Sequence, residues 1–141
     1  MSHLDAVEIV RAHIEAFRAD DVESALSLID PDIVQDTTRV RGVDGRVVHG
    51  HEALVREVRR WMGAFQGYDF DVQSIEQLGP GTVMVMIAER GSGKGSGAPV
   101  EQTMVGIYNV LDGKIIRVTG FTSEEEALAA VGLSETRPRR S

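Results

Sequence analysis

The chain has no cysteine, which removes disulfides, thiolate nucleophiles and cysteine-held metals together and leaves the redox compartment unread. It also lacks any apolar run approaching the roughly 18 residues of a membrane span, and Met1-Ser2-His3-Leu4-Asp5 has none of the cationic-then-apolar order of a secretory leader. A soluble, cytoplasmic protein with no membrane partner is expected. Basic excess is missing as well: 15 lysines and arginines face 22 acidic residues, for a net charge of -7. That balance opposes attraction to phosphate backbones, so no nucleic-acid partner is expected. No internal repeat is present.

What remains is an ordinary globular composition, 42% hydrophobic and 26% charged over 141 residues. That length supports one core without covalent staples. We expect a single domain over residues 1–133 and a solvated basic tail over 134–141, where Arg137, Arg139 and Arg140 follow the helix stop at Gly132.

The strongest local signal is Asp112-Gly113 between the alternating runs Pro99 to Leu111 and Lys114 to Thr122, the mark of a tight β-hairpin. Upstream, Leu4, Val7, Val10, Ile14 and Phe17 recur at helical spacing and predict a helix over 4–19. Asp20-Asp21 caps a second helix from Val22 to Ile29, stopped by Asp30-Pro31. A short strand is expected over Ile33 to Val40, then a loop around Gly42-Val43-Asp44-Gly45. A third helix follows His49-Gly50, burying Leu54, Val58, Trp61 and Phe65 and exposing Glu52, Arg56, Glu57, Arg59 and Arg60. From Tyr68 onward the pattern is strand and turn, with a bulge where Ile75 breaks phase. Ser123 with Glu126 forms a capping box for a last short helix. Helices on one side of a long, bulged sheet define an α+β fold, a curved antiparallel sheet wrapped around the N-terminal helices with an internal pocket.

Asp20-Asp21-Val22-Glu23, Asp30-Pro31-Asp32-Ile33-Val34, Gly50-His51-Glu52-Ala53 and Leu111-Asp112-Gly113-Lys114-Ile115-Ile116 together resemble the nuclear transport factor 2 family. More narrowly they resemble its SnoaL-like branch, which includes polyketide cyclases, ketosteroid isomerases and limonene-epoxide hydrolases. The resemblance spans roughly Ala6 to Leu133. It implies a cone-shaped, cystatin-like α+β roll, a homodimer and an apolar small-molecule pocket, and no single activity.

Two residues are candidates for chemistry. His13 falls where ketosteroid isomerases carry an oxyanion-stabilising tyrosine, and an imidazole there could donate a hydrogen bond or shuttle a proton. Asp36 falls close to the isomerase base, and in an apolar cavity its raised pKa would suit proton abstraction. A one-residue slip substitutes Thr37 and turns Asp36 away. Phe17, Thr37, Trp61, Phe65, Met86, Met104 and Tyr108 are the expected ligand-facing side chains. The isomerases' second acid corresponds to Val105 and the cyclases' acid to Gly120, so neither carboxyl group is retained. The hydrolases' paired aspartates and arginine have no counterpart.

Other constellations fail on chemistry. Lys94 in Gly91-Ser92-Gly93-Lys94-Gly95-Ser96-Gly97 precedes a glycine and a strand, which is not a phosphate loop. His49 and His51 lack a third ligand, so no metal is expected, nor any cofactor. No nucleophile elbow occurs. Three functions remain: proton transfer on an apolar carbonyl compound with Asp36 as base and His13 at the oxygen, non-catalytic binding of an apolar small molecule, or a purely interacting homodimer.

Overall fold

The computed structural model describes residues 5–40, 45–93 and 97–132. The expected loop positions 42–44, residues 94–96 of the glycine-rich segment, and the tail from 133 onward lie outside them, as does Leu4.

Helix α1 (Ala6–Arg18) starts at a reciprocal cap. The Asp5 carboxylate accepts from the Glu8 amide at 2.8 Å, and the Asp5 amide donates to the Glu8 side chain at 3.2 Å. Its buried stripe is Ile9, Val10, His13 and Ile14. Asp20, at φ 60°, turns the chain into α2 (Val22–Ser27), capped by Asp21. Strand β1 spans Ile29–Asp36, four residues earlier than the sequence reading placed it. Pro31 does not break the strand, because its missing donor falls in the irregular stretch between the Ile29 and Val34 pairings with the neighbouring strand.

Strand β2 (Val47–His49) leads through Gly50, at φ 93°, into α3 (His51–Gly63). Phe65 was expected on that helix. It instead opens β3 (Phe65–Gly79), because the helix closes at Ala64. Strands β4 (Thr82–Gly93), β5 (Pro99–Leu111) and β6 (Lys114–Phe121) follow, then α4 (Glu124–Ala130), whose first turn is capped by the Ser123 side chain.

The sheet order is β2-β1-β6-β5-β4-β3. All neighbours are antiparallel except β1 and β6, which run parallel. The Asp112-Gly113 turn has both residues at positive φ, 53° and 80°, the signature of a type I′ hairpin between paired Leu111 and Lys114. The bulge near Ile75 is present at Gln73, the extra residue between the pairs Val72–Ile87 and Ser74–Met86. Such bulges bend and twist the long strands.

Side-chain alternation splits the interior. On the inner face Val83 and Val85 pack with Ile9, Val10 and Ile14 of α1. On the outer face Met84, Ile107 and Phe121 pack beneath Ala127 and Leu128 of α4.

Candidate functional site

Inward residues of β4 run Val83, Val85, Ile87, Glu89. The first two are sealed under α1. The last two open on a cavity of about 190 Å³ between α1, α3 and the sheet. Aromatic side chains from four elements form much of its wall: Phe17, Trp61, Tyr68, Phe70 and Tyr108.

His13 lies in that wall and is only 6% exposed. Its Nδ1 is 3.1 Å from the Ala25 carbonyl oxygen. A carbonyl only accepts, so Nδ1 carries the proton and the neutral ring presents a bare lone pair at Nε2. Burial keeps the ring neutral, lowering its pKa to about 4, with the Ala25 bond opposing that shift. This corrects the expected role of His13 as proton donor to a substrate oxygen, since the available nitrogen has no hydrogen to give. The ring stands edge-on to Phe17 at 5.0 Å and 6.4 Å from Tyr108, centroid to centroid.

Asp36 does not line the cavity, whereas its neighbours Gln35 and Thr37 do. Period-two alternation turns Asp36 away. Its carboxylate accepts from the Thr38 hydroxyl at 2.6 Å and the Thr38 amide at 2.9 Å, with Arg117 at 3.6 Å. The Thr38 hydroxyl bond first, then the amide and nearby arginines, hold its pKa below the usual carboxylate value against some desolvation. The expected apolar setting and raised pKa of Asp36 are thus not found. Thr37 faces inward instead, but its hydroxyl donates to the Arg46 carbonyl and accepts from the Arg46 amide, which occupies it.

Among the expected ligand-facing residues, Phe17, Trp61, Met104 and Tyr108 line the cavity with Thr37. Phe65 does not; it packs beside Tyr68, rings 5.6 Å apart. Met86 does not either, because its register puts it on the outer face against the α4 layer. Val105 and Phe121 are paired across β5 and β6 and buried in that same outer layer. At Gly120 a Cβ would come within 3.0 Å of Val40 Cγ2, so a side chain there would press on its neighbour.

Two carboxylates that sequence reasoning left aside are inside. Glu57, expected on the solvated face of α3, is 5% exposed and lines the cavity. Arg60 grips it through Nε at 3.0 Å and Nη2 at 2.7 Å, and Arg46 Nε lies 3.6 Å away. The available signal was spacing: Glu57 is three residues from Leu54 and four from Trp61, on the same helical face. Glu89 is 7% exposed. It accepts from Trp61 Nε1 at 2.9 Å, the Tyr68 hydroxyl at 2.5 Å and Gln102 Nε2 at 2.9 Å. Strand alternation after Val83 and Val85 was its signal. Burial, then the charge and hydrogen bond of Glu89, push the Tyr68 pKa upward.

Tyr108 is raised to about 12 by burial, so its hydroxyl stays protonated. It makes no hydrogen bond with the described residues, and its ring lies over Gly106, where a Cβ would sit 3.0 Å from Tyr108 Cε1. Elsewhere, His51 Nε2 is 2.9 Å from the Ile29 carbonyl oxygen. Among the described residues no group of three or more metal-ligating side chains converges, and no helix is long and apolar enough to cross a membrane.

The comparisons with known proteins agree with this architecture. The family model described as the SnoaL-like domain matches residues 10–118. No curated protein matches. Among solved structures, an NTF2-like protein from Burkholderia thailandensis is similar at TM-score 0.73 and 22% identity, over 91% of this chain and 96% of that one. An NTF2-like protein of unknown function from Burkholderia pseudomallei is similar at TM-score 0.71 and 18% identity, over 92% and 97%. An LEH-like epoxide hydrolase from M. tuberculosis is similar at TM-score 0.62 and 18% identity, over 84% and 82%. Likeness at such identities speaks for the fold alone.

Proposed function

This chain belongs to the SnoaL-like domain family, and we propose that it holds a small, mostly apolar molecule in the cavity between α1, α3 and the sheet. One observation carries the reading: aromatic walls enclose two neutral polar groups, His13 Nε2 and the Tyr108 hydroxyl, that make no hydrogen bond with the described residues. Apolar burial supplies affinity and the two unspent groups supply orientation. The volume, about 190 Å³, compares with cavities of about 150 Å³ that accept benzene, so the ligand is of ring size.

Trp61 is the sole tryptophan of the chain and lies in the wall, which makes its emission a direct reporter. Native mass spectrometry of the purified protein should reveal a bound small molecule, and ring-sized probes should shift Trp61 fluorescence saturably. A ligand-free protein whose tryptophan ignores every such probe ends the reading.

A second reading, proton transfer on a carbonyl compound, is favoured by the presence of Glu89 in the same cavity as the Tyr108 hydroxyl. Glu89 would take the proton from the carbon beside the carbonyl while Tyr108 donates to the oxygen, roles that Asp36 and His13 do not fit. In heavy water the protein should accelerate exchange of the α-protons of cyclic ketones, followed by NMR, and Glu89→Gln should abolish the acceleration. Exchange no faster than in buffer excludes this reading without touching the first.

A further inference from the structure

The two carboxylates in the cavity wall are not equivalent. Glu57 is matched by the Arg60 fork and by Arg46. Glu89 receives only neutral donors, the Trp61 indole, the Tyr68 hydroxyl and the Gln102 amide, and makes no ion pair with any described residue. A buried anion with hydrogen bonds but no counter-charge still gains from a cation brought to it, because at 7% exposure its charge is only weakly screened.

The remaining polar inventory points the same way. The donors around Glu89 are spent, Trp61 and Tyr68 on Glu89 itself, and Thr37 is spent on the Arg46 carbonyl, while the Gln35 amide and the Tyr108 hydroxyl remain in the lining. His13, 6% exposed and anchored through Nδ1, offers a lone pair and nothing to donate. The Tyr108 hydroxyl can accept as readily as donate. Between these acceptors stand aromatic rings, whose faces carry the negative part of the ring quadrupole and attract cations when desolvated. A hollow of acceptors and ring faces, with one carboxylate that lacks a counter-charge, is complementary to a positively charged donor.

We propose that the ligand of this cavity is a small organic amine bound as its cation, its charged nitrogen beside Glu89 and its apolar part against Phe17, Phe70 and Tyr108. The proposal rests on the binding reading above and narrows its ligand class. Glu89 is the selecting charge, Trp61 and Tyr68 hold that charge in place, and His13 Nε2 accepts an N–H from the ammonium.

The test is an isosteric pair followed by Trp61 fluorescence and calorimetry: N,N-dimethylbenzylamine, protonated at neutral pH, against isobutylbenzene, which has a carbon in place of the nitrogen. On the unaltered chain the amine should bind about tenfold tighter or more. Glu89→Gln, which keeps the shape and removes the charge, should erase most of that preference by weakening the amine. If isobutylbenzene binds as well as the amine, the cation proposal is overturned and the apolar binding reading survives. If neither binds, both fall. An amine preference undiminished in folded Glu89→Gln removes Glu89 as its source and overturns the assignment. The wild-type contrast needs no variant, so a variant that fails to fold does not shield the proposal.

Discussion

The two faces of the central sheet are made by the same strands and are packed in opposite ways. Beneath α4 the outward residues Met84, Ile107 and Phe121 close against Ala127 and Leu128 with nothing titratable among them. On the inner face β4 begins in a sealed layer at Val83 and Val85 and ends at Glu89 in a hollow. Rings stand apart there because polar ties fix them: Tyr68 and Trp61 to Glu89, His13 to Ala25. Gly106 and Gly120, without side chains, leave the floor open. Both faces carry a buried core, and only the second also leaves room for a ligand.

That contrast is most severely tested by deleting volume from the solid face. Phe121 is 2% exposed, and Phe121→Ala should cost about 3–5 kcal/mol in urea unfolding, while probe affinity read by Trp61 under native conditions stays unchanged. A loss below about 1 kcal/mol would mean that the outer layer is not packed as a core.

Next in size is the acid response of the hollow face. His13 titrates near 4 in the folded chain because burial disfavours its charged form, against about 6.5 when unfolded. Above the unfolded value neither state binds the proton. As pH falls from about 6.5 to about 4 the unfolded chain is protonated and the folded chain is not, so stability declines, by about 3 kcal/mol in all. His13→Gln should flatten that part of the pH profile of the urea midpoint. An equal slope in both proteins would show that His13 is not held neutral.

Much of the fold could be read from local chemistry. The Asp112-Gly113 turn, the Ser123 cap and the phase break before Ile75 are each decided by a few neighbouring residues, and each lies where its spacing indicated. The strand after α2 was misplaced because its start depends on pairing with Ile115, far along the chain. The site was harder for the same reason. Asp36 and Thr37 differ by one step of alternation, and only pairing with β2 and β6 decides which faces inward. Glu57 was read as a surface charge although its partner Arg60 is three residues away on the same helix, and Glu89 drew no reading because Trp61, Tyr68 and Gln102 come together around it only when α3, β3, β4 and β5 assemble. Periodicity marks the face on which a charge lies; partners decide whether it can be buried there.

A smaller effect isolates those polar ties. Tyr68→Phe removes one of three donors to Glu89 while preserving the ring, and should cost about 1 kcal/mol in urea unfolding. If stability is unchanged, Glu89 does not depend on Tyr68 and the hollow is not held open in this way.

The smallest change in stability should come from Gly106→Ala, and it separates the two faces most cleanly. Gly106 is not among the glycines with positive φ, so alanine is compatible with its backbone and loses less entropy on folding. The three atoms nearest the new methyl all belong to Tyr108, Cε1 first at 3.0 Å, and a ring bordering empty space can move where a ring in a solid layer cannot. Tyr108 should therefore shift into the hollow. Stability should stay within about 0.5 kcal/mol of wild type, while ring-sized probes should lose affinity by about threefold or more as roughly a methylene of space and the hydroxyl's placement are lost. Urea unfolding and Trp61 titration on the same sample read both quantities. A variant clearly destabilised yet binding normally would reverse the comparison, because the inner face would then be the tightly packed one and the space beside Tyr108 would have no part in binding.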